Sequence, residues 1–103
     1  MNKSKFLPLT ETTYLILLAL LQPGHGYYIM QKVEELSNGK VRVAAGTMYG
    51  ALENLLKLKW IVSVPSTDPR RKIYQTTALG VDILHQETDR MRQMLAIADQ
   101  YHL

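Results

Sequence analysis

The spacing of apolar residues changes along the chain, and each change predicts a different element. From Thr13 to Leu21 the chain is apolar nearly all round. Thr10 ahead of it is a helix N-cap, and Glu11 sits where a carboxylate complements the first turn. A helix without a polar face is buried on more than one side. In a chain of 103 residues the second side falls to a partner chain, with Leu15 and Leu18 expected to meet it. "QPGHG" then breaks the helix. From Gly26 to Leu36, Ile29, Val33 and Leu36 share one face at helical spacing, while Lys32, Glu34 and Glu35 face water. "SNGK" ends this second helix, with Asn38-Gly39 supplying turn conformations. "VRV", residues 41–43, predicts a brief extended strand. A third helix follows within "GTMYGALENLLKLKW", Gly46 to Trp60.

Beyond Trp60 the period shortens. "IVSVP" and "RKIYQT" are rich in β-branched and aromatic residues and predict two short strands. "STDPR" joins them, so they form a hairpin whose tip carries Arg70, Arg71 and Lys72 against Asp68. Thr77 caps a last helix from about Ala78 to Tyr101. The predicted order is helix, helix, short strand, helix, hairpin, long helix, without repeats, linkers or low-complexity tracts.

The third helix has two dissimilar faces. On a helical wheel, Met48, Ala51, Leu52 and Leu55 gather into a core face. The opposite face holds Gly46, Gly50, Glu53, Asn54 and Lys57, flanked by Thr47 and Tyr49. Gly, Thr and Tyr are weak helix formers, so propensity does not explain this start. Small residues allow a helix to approach a surface closely, and hydroxyls donate to phosphates or base edges. Taken one at a time, Gly46 as helix entry, Tyr49 as packing and the basic tip as a solvated loop are ordinary structure. Their combination, a small-residue helix face followed directly by a basic hairpin, predicts a winged helix-turn-helix. In that plan the third helix enters the major groove and the wing meets the backbone. The fold class is mainly α with a small β-hairpin wing. Residues 1–77 form the winged helix domain and residues 78–103 a C-terminal dimerisation helix.

In the last helix Ile83, Leu84, Met91, Met94, Leu95, Ala98 and Tyr101 form one apolar stripe. The part up to Leu84 packs on the domain's own core. The part beyond it predicts a homodimer seam against the partner's first helix, the alternative being a helix folded back along a monomer. Glu87 interrupts the stripe, where an unpaired carboxylate is costly. The expectation is that it reaches water between core and seam; the sharper alternative is that Glu87 and Met91 line a cavity for a small-molecule effector.

Composition narrows the function classes. Net charge is +3 and the pI about 9.3, so where the cations sit matters more than their number. The absence of cysteine excludes disulfides, thiolate metal sites and cysteine nucleophiles, and suits a reducing cytosol. The start, "MNKSKFLPLT", has no long apolar core or cleavage site, so no signal peptide is expected. The longest apolar run, Tyr14 to Leu21, is too short to span a bilayer. Asp82, His85 and Asp89 share a helix face at ligand spacing, but without a second clustered His they predict a solvated polar face rather than a metal site. Ser4, Ser37, Ser63 and Ser66 have no His or acid partner by motif. No enzyme and no cofactor are expected.

"GHGYYIMQKVEEL", "GTMYGALENL" and "DPRRKIYQTTALG" resemble the three blocks of the PadR family of transcriptional regulators, over roughly Leu9 to Leu84. "HGY", "GTxY" and "RKxY" together are specific, although each alone is weak. The blocks fall in that family's second helix, its recognition helix, and its wing with the start of the final helix. The resemblance implies a cytoplasmic winged-helix repressor that dimerises through its last helix and binds double-stranded inverted-repeat operators. It implies that Tyr27, Thr47, Tyr49, Arg70, Arg71 and Lys72 touch DNA, and that His25 is structural. Glu53 departs from the pattern, standing where many members carry a basic residue; a carboxylate there repels phosphates unless it accepts from a cytosine amine. Leu56 and Leu58 replace usual polar residues, and Lys59 stands where a helix-ending Gly is common. Some members stack flat drugs on a tryptophan in the last helix; the matching place here holds Met91, and the single Trp is Trp60. A protein-interaction module on the same fold is the rival function.

Overall fold

The computed structural model describes residues 3–103, with side chains from Lys5 onward. Met1, Asn2 and the side chain of Ser4 fall outside the described residues, and with them one serine weighed for catalysis and the very start of the segment expected to lack a signal. A single 3-10 turn, Lys3–Phe6, precedes α1 (Glu11–Ala19), α2 (Gly26–Leu36), α3 (Ala45–Lys57), β1 (Ile61–Val64), β2 (Ile73–Thr76) and α4 (Ala78–Asp99). This is the winged helix-turn-helix with a long C-terminal helix.

Local chemistry explains most of the boundaries. The Thr10 hydroxyl accepts from the Thr13 N–H at 3.1 Å, and the Thr77 hydroxyl accepts from the Gly80 N–H at 3.1 Å. Both helix starts therefore lie where the sequence places them. α2 ends in a Schellman motif, with Asn38 at φ 54° and N–H groups of Asn38 and Gly39 bonding the Glu35 and Glu34 carbonyls at 3.1 and 2.8 Å. α3 ends in the same way, with Lys59 at φ 64° in the left-handed position where glycine is the easy choice. The N–H groups of Lys59 and Trp60 bond the Leu56 and Leu55 carbonyls at 3.0 and 3.1 Å.

The core is built from Ile16, Leu17 and Leu20, from Ile29 and Val33, from Met48, Leu52 and Leu55, and from Trp60, Ile61, Tyr74, Ile83 and Leu84. The predicted face of α3 is therefore the buried one. Phe6 meets Trp60 edge to face with ring centroids 5.3 Å apart, so the segment before α1 covers the end of α3. Leu36 corrects an expectation: it shares the face of Ile29 and Val33 but is 41 % exposed, because α2 runs past the edge of the core there.

The sheet also differs from expectation. Strands β1 and β2 pair antiparallel from Ile61↔Thr76 to Val64↔Ile73. Residues 41–43 form no strand; the Val41 N–H bonds the Ser37 hydroxyl at 2.9 Å, and Val43 turns into the core. The piece that lies beside β2 comes instead from the turn after α1. Gly24 and Tyr74 exchange backbone bonds of 3.0 and 2.9 Å, and the Thr76 N–H bonds the Leu20 carbonyl at 2.8 Å. These bonds tie the wing to the start of α2.

α4 divides in two. Gly80, Ile83, Leu84 and Glu87 are buried, and the Tyr14 and Thr88 hydroxyls are 2.6 Å apart. Beyond this the helix leaves the domain, with Met94, Leu95 and Ile97, and Tyr101 just past its end, more than half exposed. Glu87 overturns the expectation that it reaches water: it is 2 % exposed. It accepts from the Leu9 N–H at 3.0 Å and from Arg90 at 2.6 and 3.1 Å. Arg90 lies one helical turn away, and the chain before α1 crosses above it, so the carboxylate is paired where the stripe is interrupted. The Arg90 guanidinium and then the Leu9 N–H hold this carboxyl below its ordinary range, against the effect of burial.

Candidate nucleic-acid interface

The start of α2, one flank of α3 and the wing meet at a concavity of about 420 Å³ lined by His25, Gly26, Tyr27, Tyr49, Arg70, Arg71, Lys72 and Tyr74. Five residues predicted from sequence to contact DNA thus lie together, drawn from positions up to 45 apart. The wing tip is ordered by Asp68. Its carboxylate accepts from the Arg70 N–H at 2.9 Å and from Arg70 Nε at 3.2 Å. That backbone donor and then the Arg70 side chain keep the Asp68 carboxyl below its ordinary range. Three cations face one carboxylate, and all three are exposed, so the tip stays positive.

His25 joins this site, which the sequence left as structural. Its Nδ1 lies 3.4 Å from the Tyr28 N–H at the start of α2, and its Nε2 lies 3.2 Å from Arg71 Nη1 on the wing. A neutral imidazole has one acceptor nitrogen, so it serves one of these two donors at a time. Tyr49 is 53 % exposed, and its hydroxyl lies so near Gly26 that a Cβ there would sit 2.5 Å from it. Gly26 therefore seats the Tyr49 ring on α2. Tyr74 forms the floor; burial pushes its phenol up, with Tyr49 adding to the shift. Tyr74, Gly26 and His25 lie in "HGY" and "KIY", but nothing in either string shows that the two segments pair.

On α3, Gly46, Thr47, Gly50, Glu53, Asn54 and Lys57 are all exposed. A Cβ added at Gly46 or Gly50 meets nothing within 4 Å. Neither glycine is needed by the packing of the chain itself. Ala44 at the N-cap makes no side-chain bond, unlike Thr10, His25 and Thr77 at the other helices. Lys57 lies apart from the concavity, about 16 Å along the helix from Gly46.

A larger cleft of about 880 Å³ lies on the other side of α2, between Tyr27, Met30, Glu34, Glu35, Arg42 and Val43. Its two carboxylates are each paired, Glu34 with Arg42 at 3.7 Å and Glu35 with Lys32 on the same helix at 3.1 Å. On α4, Arg90, Met91, Met94, Leu95 and Ala98 line an apolar groove of about 550 Å³, which Glu87 does not join. Leu15 and Leu18 are half-buried against the core. Among the described residues no group of three or more His, Asp or Glu is arranged to hold a metal, and no helix is long and apolar enough to cross a membrane.

The family model and solved structures at 25 % identity or more lead to one family. The model of the transcriptional regulator PadR-like family matches residues 15–86. A PadR family transcription regulator from Clostridium difficile is similar, at 27 % identity over 89 % of this chain and 98 % of that one, with a TM-score of 0.75. A PadR-like transcription factor from Bacteroides fragilis is 25 % identical over 87 % of each chain, with a TM-score of 0.70. A PadR-like transcriptional regulator from Bacillus cereus, at 18 % identity over 95 % of this chain and 96 % of that one, shares the fold with a TM-score of 0.71. Curated proteins give no match.

Proposed function

Because this chain belongs to the PadR-like family of transcriptional regulators, we propose that it is a cytoplasmic repressor that binds inverted-repeat duplex DNA as a homodimer. α3 enters the major groove by its Gly46–Gly50 start, with Thr47 and Tyr49 donating hydrogen bonds and Lys57 meeting the backbone. Arg70, Arg71 and Lys72 lie along the adjacent phosphates, and Tyr27 contacts the strand beside α2. The observation that carries this is the pair of open glycines: nothing in the chain itself requires them to be small, whereas close approach to a groove does.

The second half of α4 supports the dimer. Met94, Leu95 and Tyr101 are 58, 66 and 73 % exposed, an apolar run that a monomer leaves in water. Met91, Met94, Leu95, Ala98 and Tyr101 pair with Leu15 and Leu18 of a second copy. A flat apolar effector fits the Met91 groove and loosens that pairing; Glu87 stays engaged with Arg90 beside it. The unpaired Glu53 is the one feature that favours a protein-interaction module instead.

Salt-dependent binding separates the two. The homodimer should bind duplex DNA with an affinity that falls steeply and log-linearly with salt. Replacing Arg71 by Gln should weaken binding to all duplexes alike and flatten the slope by about one unit for each phosphate that is no longer neutralised. Weakening confined to one sequence, with the slope unchanged, would mean that the wing reads bases. No retention on any duplex at low salt would leave the interaction module.

A further inference from the structure

The Glu53 side chain is exposed and makes no hydrogen bond or ion pair with any described residue. Lys57, one turn further on, is the natural partner at i+4, yet no ion pair joins the two. The carboxylate is therefore neither part of the fold nor neutralised by its neighbour. It also lies at the centre of the exposed face of α3. Seven residues after Gly46, it returns to within about 20° of the same meridian, and it follows Gly50 by about 4.5 Å along the axis. Gly50 has open space around it, so it holds no part of the helix away from a surface in front of Glu53.

A carboxylate brought into a major groove meets strong repulsion unless an N–H group receives it. The groove offers two such groups, the N4 amine of cytosine and the N6 amine of adenine. Adenine presents the N7 acceptor beside its amine, which opposes a second carboxylate oxygen. In an A·T pair the amine also has thymine O4 on its other side, whereas the cytosine amine has an acceptor, guanine O6, on one side only. The chemistry thus selects cytosine.

We propose that Glu53 is a specificity-determining residue that reads one cytosine in each half-site by accepting from its N4 amine. This rests on the DNA-binding function proposed above. Lys57, one turn beyond, offsets the carboxylate toward the phosphates at the edge of the groove. Glu53 thereby lowers binding to DNA in general while raising discrimination among sequences.

The test uses the full chain and a pool of duplexes with a randomised core. Wild type, Glu53→Gln and Glu53→Ala are each carried through selection and sequencing, with melting curves to confirm that all three fold. Wild type should enrich a motif with cytosine at one position per half-site, preferred on the order of tenfold to a hundredfold. Glu53→Gln should move that position to adenine, because a carboxamide both donates and accepts, and leave the other positions unchanged. Glu53→Ala should lose preference at that position alone. If all three proteins enrich one motif, and the variants bind every duplex tighter by one common factor, Glu53 is a general repeller and the proposal is wrong. If wild type is retained on duplexes but enriches no motif, the proposal is wrong; if it is retained on none at low salt, the DNA-binding function fails first and this proposal falls with it.

Discussion

Replacing Gly50 with leucine should strengthen the fold while weakening the function. Gly50 lies inside α3, in its second turn, and it is exposed. The Cβ of the new residue meets nothing within 4 Å. The stability change is therefore set by helix propensity, which favours leucine by about 0.7 kcal/mol. For a domain of this size that corresponds to a rise in melting temperature of roughly 3–5 °C. On DNA the outcome reverses. Four carbons are added to the face that approaches the groove, and forcing such volume into a tightly fitted surface costs about 1–3 kcal/mol. Affinity should fall about tenfold to a hundredfold. Circular dichroism melting and fluorescence anisotropy on the same protein give both numbers. Earlier melting would mean that residue 50 is packed in the native protein. Later melting with undiminished DNA binding would mean that this face of α3 is not the interface.

Other perturbations probe separate parts of the molecule. Leu95→Lys places a charge on the exposed face of α4 and should convert the homodimer to monomer, measured by light scattering; wild type already monomeric at micromolar concentration would refute the seam. Lys59→Gly relieves the φ of 64° at the end of α3 and should raise stability by about 0.5–1 kcal/mol in urea titrations; a decrease would show that the lysine stem packs. Glu87 has a folded-state pKa below its ordinary 4.5, so its contribution is complete above about that pH and is lost as pH falls through the folded value. Glu87→Gln should therefore cost about 1 kcal/mol at neutral pH, reduced because water reaches Arg90, and its melting temperature should change less than wild type between pH 5 and about 2. Parallel acid limbs for the two proteins would place that acid sensitivity elsewhere.

What the sequence determined by itself was local. Thr10 and Thr77 cap their helices because a cap needs only an N–H three residues on. The two faces of α3 follow from 100° per residue, so Met48, Leu52 and Leu55 could be assigned inward and Gly46, Gly50 and Glu53 outward without knowing their surroundings. The wing was visible because β-branched residues bracket a turn. Tertiary structure decided every pairing between distant segments. It set Gly24 rather than residues 41–43 beside β2, brought His25 to Arg71 and Tyr49 to Gly26, left Leu36 in water, and closed Glu87 between Leu9 and Arg90. Each of these depends on which surfaces meet once the core has formed. A backbone donor or a carboxylate satisfies itself with whatever the packing brings within hydrogen-bond reach, and the periodicity of a single segment carries no record of that choice.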